Sequence, residues 1–127
     1  MEFTFNNANS RDFNIKIKKT NHLSIPRKKL EFIEVQGRTD NLIIDEGSRE
    51  MLDIEIEAYI DCRGEDTYSY ALRLDEWLNN TVGYSDLIFD DNVVLKAIFV
   101  GQIDFEEVVK NYNEILLQFK AYRVGDL

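Results

Sequence analysis

Apolar side chains recur along this chain at two spacings, and the switches between them mark out its elements. A period of two, the mark of a strand with one buried face, is clearest where Leu52, Ile54, Ile56, Ala58 and Ile60 alternate with Asp53, Glu55 and Glu57. The same period runs through Phe3 and Phe5, which stop at the turn-prone pair Asn6-Asn7. It returns at Phe13, Ile15 and Ile17, with Asn14, Lys16 and Lys18 facing the other way. Residues 29–36 read as a further strand, with Leu30 and Phe32 on one face and Ile33 and Val35 on the other. Apolar on both sides, that strand needs burial on both faces, or burial on one and a partner on the other. Three more strands are expected at residues 86–89, 93–103 and 114–123.

A helical period occurs once. Tyr70, Ala71, Leu74, Trp77 and Leu78 form one apolar stripe, Asp66 or Thr67 supplies the N-cap, and Asn79-Asn80 with Gly83 ends the helix near residue 80. Asp61-Cys62-Arg63-Gly64 separates it from the strand before, and a connector over residues 20–26 ends at the one proline, Pro26. Residues 37–47 read as a long hairpin loop whose tip carries Arg38, Asp40 and Asn41. Leu42, Ile43 and Ile44 are too apolar for a solvated tip and must pack on the body or on a neighbouring subunit. A strand-rich chain with one helix cannot be a parallel α/β fold, which needs a crossover helix for nearly every strand pair. The pattern predicts a mainly β fold with one α-helix: an antiparallel β-sandwich or partly open barrel with the helix packed on it.

With 127 residues and 44% hydrophobic content, the chain builds one domain, read as residues 1–127. No apolar run approaches the roughly 20 residues that span a bilayer, and the N-terminal residues lack the pattern of a signal peptide. The expectation is synthesis and assembly in a cytoplasm, with no membrane partner. Charge is unevenly spread. Up to Thr39, eight basic residues face four acidic ones, a net of +4, so the remainder carries −13 and the two sum to the net −9. Two poles of opposite sign favour head-to-tail packing between copies. A dense basic face for sequence-specific nucleic-acid binding is missing.

The candidates for chemistry reduce to structural readings. Asp53, Glu55 and Glu57 alternate on one exposed strand face, where side chains stand apart and solvated. His22, the sole histidine, reads as a surface residue of a basic connector, and Cys62, without a nearby histidine, as an ordinary thiol. Asp90-Asp91-Asn92 reads as a hairpin turn. The sequence has no phosphate-binding glycine pattern, paired-cysteine metal site or serine elbow. The expectation is a protein without enzymatic activity, metal or cofactor.

Five segments in order carry a resemblance: Glu34-Val35-Gln36-Gly37-Arg38; Arg49 through Ile54-Glu55-Ile56; Leu74-Asp75-Glu76-Trp77-Leu78; Leu87-Ile88-Phe89-Asp90; and Leu95-Lys96-Ala97-Ile98-Phe99-Val100-Gly101. Together they resemble the N-terminal domain of the distal tail protein family of long-tailed bacteriophages and prophages. Where the family has Asp-Gly or Asn-Gly after Gly-Arg, this chain has Thr39-Asp40-Asn41, with Asn expected to take the left-handed conformation. Many members continue into a carbohydrate-module-like second domain, which is not expected here. The resemblance implies a structural component of the virion tail, assembled in the host cytoplasm. It further implies a hexameric homo-oligomeric ring, the hub between the tail tube protein and the tail-tip or baseplate proteins. Gly37, Arg38, Asp40, Asn41, Leu42, Ile43 and Ile44 are the interface residues expected from the loop. If DNA passes through such a ring, an acidic or neutral lumen is expected, since lysine-lined walls bind phosphates. A tail tube or tail-terminator subunit of related fold is the alternative, and a small-molecule-binding β-barrel a more distant one.

Overall fold

Strand pairing begins with the Asn6-Asn7 turn. The computed structural model describes residues 1–109 and 112–124, with the backbone alone at residues 108 and 109; Leu127, where the domain is read to end, lies outside them. Asn6 and Asn7 take φ of 49° and 65°, the left-handed pair that a two-residue hairpin turn requires, and join β1 (Phe3–Phe5) to β2 (Ala8–Asn9). A 3-10 turn, Ser10–Phe13, follows; Asn9 Oδ1 accepts from the Arg11 N–H at its start, and Asn14 ends it at φ 55°. Phe13 therefore belongs to this turn and not to the following strand, β3 (Ile15–Thr20), as its alternation with Ile15 had implied.

The remaining elements are β4 (Lys28–Ile33), β5 (Leu42–Arg49), β6 (Leu52–Asp61), α1 (Thr67–Asn79), β7 (Ser85–Phe89), β8 (Val94–Val100), β9 (Glu106–Val109) and β10 (Tyr112–Arg123). One antiparallel sheet runs β2-β1-β7-β8-β10-β6-β3, with β9 paired to the first half of β10. The expected strand 93–103 is shorter: Gly101 breaks it at φ 92°, and a Cβ there would stand 2.5 Å from Gln118 Oε1. β9 escaped the pattern because it opens on the polar pair Glu106-Glu107.

This sheet curls around its own core without closing into a barrel. Phe5 and Phe119 lie 4.9 Å apart between ring centroids, although two strands separate β1 from β10 along the sheet. Leu52, Ile54, Ile56, Ala58 and Ile60 are all buried, as are the alternate residues Leu95, Ala97 and Phe99 of β8 and Ile115, Leu117, Phe119 and Ala121 of β10. Across this core lies α1. Asp66 caps it by accepting from the Ser69 N–H at 2.8 Å, and Tyr70, Leu74, Trp77 and Leu78 are buried, with Ala71 half-exposed at the stripe's edge. The fold is thus the mainly antiparallel β architecture with a single packed helix that the periodicity predicts.

Trp77 does most to join the helix to the sheet. Its Nε1–H donates to the Phe5 carbonyl at 2.6 Å, and its ring stacks on Phe13 at 4.2 Å and on Phe3 at 5.8 Å. Trp77→Ala is expected to cost about 3–5 kcal/mol in urea denaturation, as large aromatic truncations in cores do; a loss below about 1 kcal/mol would contradict this packing. At the other end of α1, the Ser69 backbone and hydroxyl hydrogen bonds hold the Asp66 carboxyl below the ordinary aspartate value. A carboxyl depressed in the folded state contributes stability that is present above its unfolded value and lost as pH falls through its folded one. Helicity followed by circular dichroism is expected to lose this acid-sensitive step in Asp66→Asn, which retains a capping oxygen; an unchanged acid titration would refute the assignment.

Candidate assembly interface

β4 and β5 form a second, two-stranded sheet that is hydrogen-bonded to no other strand among the described residues. The segment expected as a loop is therefore largely a strand: β5 begins at Leu42, and Gly47 lies within it rather than in a turn. Gly47 takes φ 77° in a bulge, where its N–H donates to Asp45 Oδ1 at 2.9 Å and Glu46, Gly47 and Ser48 stand opposite Lys29. Beyond the bulge the register sets Phe32 against Ile43 and Ile33 against Leu42. Residues directly opposite share a face. Leu30, Phe32 and Ile43 thus lie on one face, and Ile33, Leu42 and Ile44 on the other.

Neither face is covered. Phe32 and Ile43 are 58% and 59% exposed, and Leu42 and Ile44 are 45% and 40% exposed. Residues 29–36 are apolar on both sides as read, but the burial expected on at least one face is not found among the described residues. A two-stranded hairpin is marginal in water by itself, and here it presents large apolar side chains in both directions. At the tip, the Arg38 N–H donates to the Val35 carbonyl at 3.1 Å, and Gly37 takes φ 84°. The left-handed residue of the tip is therefore Gly37; Asn41 is not among the positive-φ residues. Arg38 and Asp40 pair with each other, Nη2 to Oδ2 at 2.8 Å and Nε to Oδ1 at 3.2 Å, both exposed. All seven expected interface residues fall in this one projecting arm.

The arm's root is gripped more firmly. Where β3 ends, the Asn21 side chain continues its pairing: Nδ2 donates to the Asp53 carbonyl at 2.9 Å and Oδ1 accepts from the Glu55 N–H at 2.8 Å. His22, expected on the surface, is buried. Its ring stacks on Phe89 at 4.1 Å, and Nε2 lies 2.7 Å from Asp91 Oδ2. That bond is the main cause holding the Asp91 carboxyl below its ordinary value. On the far side of the arm, Arg49 donates to the Pro26 carbonyl at 3.0 Å and the Glu50 N–H to the Arg27 carbonyl at 2.7 Å. No local pattern could have paired residue 22 with residue 91.

The other candidates stand apart from the arm. Asp53 and Glu55 are exposed on the outer sheet face, with Asp53 Oδ1 2.5 Å from Lys120 Nζ on the neighbouring strand. Cys62 is buried, and that burial pushes its thiol above the ordinary value, which suppresses the reactive thiolate. Among the described residues no three His, Cys, Asp or Glu are placed to share a metal ion. An open groove of about 310 Å³ between α1 and the segment after β8 is lined by Leu74, Asp75, Asn79, Phe99, Ile103 and Phe105. No helix among the described residues is long and apolar enough to cross a membrane.

The architecture is therefore a curled antiparallel sheet with one packed helix and a projecting two-stranded arm. It is similar to the crystal structure of the Dit (gp 19.1) protein of phage SPP1, described as a paradigm of hub adsorption apparatus in Gram-positive infecting phages. The TM-score is 0.77 over 96% of this chain and 51% of that one, at 13% sequence identity. This chain thus spans about half the length of the SPP1 protein, and at that identity the likeness is one of fold. No family model matches the sequence, and no curated protein matches it.

Because the arm lies outside the core, Phe32→Ser with Ile43→Ser is expected to change unfolding stability by no more than about 0.5 kcal/mol per site, as exposed substitutions do. Binding of an apolar fluorescent dye should fall at the same time. A large loss of stability would place these side chains in the core.

Proposed function

We propose that this chain is a structural component of a phage or prophage tail, a hub subunit at the distal end of the tail tube. In this reading copies close into a ring, most simply a hexamer, that joins the tube to the tail-tip or baseplate proteins. The observation that carries it is the arm: a hairpin apolar on both faces and covered on neither, built on a fold similar to that of SPP1 Dit. Exposed apolar surface of this kind marks a contact made in an assembly. The charge split supports head-to-tail contacts, since a heterologous interface closes into a ring when its rotation allows. Gly37, Arg38, Asp40 and Asn41 at the tip and Leu42, Ile43 and Ile44 along β5 are the contact residues.

Within that reading the described chain acts as a single tail-hub domain, and its role is mechanical rather than catalytic. The acidic column Asp53, Glu55 and Glu57 is available to give the ring an acidic lumen that does not retain passing DNA. Sedimentation and negative-stain imaging at high protein concentration and low salt test the proposal. Closed rings are expected, and Ile43→Ser with Ile44→Ser should abolish them while the circular dichroism spectrum and melting temperature are kept. A strict monomer under all these conditions, or rings unaffected by the double substitution, would overturn it. Open-ended tubes would point to a tail tube subunit instead.

A further inference from the structure

The connector that leads into the arm carries a polar side chain more buried than its neighbours explain. Between the end of β3 and the start of β4, Leu23 and Ile25 are 69% and 77% exposed, yet His22 between them and the sheet is 5% exposed. Its ring lies flat against Phe89, at an interplanar angle of 21°, and reaches Asp91 in the β7–β8 turn. A carboxylate only accepts hydrogen bonds, so Nε2 carries the proton in this contact. Nδ1 is buried with no partner, which leaves Asp91 as the ring's polar anchor. Asp91 is itself set by its turn, where Oδ1 accepts from the Val93 N–H at 3.4 Å.

We propose that His22 is a latch that fixes the attitude of the arm relative to the sheet. The arm makes no strand pairing with the main sheet, so its direction is set at its root. On the β3 side of that root, Asn21 extends the pairing to β6, His22 plugs into the slot formed by Phe89 and Asp91, and the connector then closes a turn in which the Ser24 N–H and Oγ–H donate to the Asn21 carbonyl at 3.0 and 2.8 Å. Of these, the His22–Asp91 contact is the one that ties the connector to a distant part of the sheet, 69 residues further along the chain. A hydrogen bond to a carboxylate is stronger than one between neutral groups, and stacking on Phe89 restricts the ring to one plane. A hairpin held this way reaches its partner pre-oriented, which lowers the entropic cost of docking. The latch acts on the arm whatever the arm contacts, so it does not depend on the phage-tail reading.

Nitroxide labels on Thr39→Cys at the arm tip and Glu76→Cys on α1, in a Cys62→Ala background, read the arm's attitude as a distance distribution. One narrow peak is expected for the latched chain. It should be lost in His22→Ala and lost in Asp91→Ala, whose site is a surface turn. The double substitution should broaden the distribution no further than either single one, because both break the same contact. His22→Gln, which places an amide N–H near the position of Nε2, should recover part of the narrow peak. A narrow peak that persists in Asp91→Ala would overturn the latch. So would broadening in His22→Ala alone with a fall in melting temperature, because His22 would then be only a space-filler for Phe89.

Discussion

The contact of the Trp77 indole with the β1 backbone is the joint on which the rest of this structure depends. An open sheet of eight strands exposes its inner face unless something crosses it, and here the crossing element is a helix of 13 residues. Trp77 binds the Phe5 carbonyl and stacks on Phe13, while Phe5 sets its edge against Phe119. Helix, first hairpin and central strand thereby share one aromatic cluster. A buried indole N–H left without an acceptor would cost about 1–3 kcal/mol, so the bond to Phe5 fixes the helix's position as well as its burial. The consequence for function is that the core is complete without β4 and β5. The arm is free to serve an assembly because the fold does not need its apolar side chains.

What the sequence made legible follows from how local each determinant is. The alternation of Leu52 through Ile60 and the stripe of Tyr70, Leu74, Trp77 and Leu78 are decided by one element meeting one core, and both were readable. The Asn6-Asn7 turn was readable too, because two left-handed residues in succession need special side chains. Three features were not. Leu42, Ile43 and Ile44 looked like part of a loop because Gly47 suggested its end; the glycine instead serves a bulge inside β5, and the same residue type fits both uses. His22 looked solvated because its partners, Phe89 and Asp91, are distant in sequence. Gly101 ends β8 early at φ 92°, with the Gln118 side chain in the space a Cβ would need, a fit across the strand pair that no one-dimensional pattern encodes.

The candidate interface was legible in a different way. Apolar residues at both parities of a strand imply cover on both faces, and that inference holds whether the cover is internal or comes from a partner. Among the described residues nothing covers them: Phe32 and Ile43 on one face and Leu42 and Ile44 on the other are all substantially exposed. Two unfilled faces on one thin hairpin are the surfaces that the proposed assembly would cover. A ring of copies offers such a place, and the tail-hub reading joins this physical demand to the likeness of fold.

Hydrogen–deuterium exchange of the isolated chain and of its assembled form tests this account most directly, because it reads each strand's protection separately. The account predicts that amides of β4 and β5 exchange quickly in the isolated chain, while those of β6 and β10 are protected in both states, and that assembly slows exchange in the arm. An arm as well protected as the central strands in the isolated chain, or one left unprotected on assembly, would contradict it.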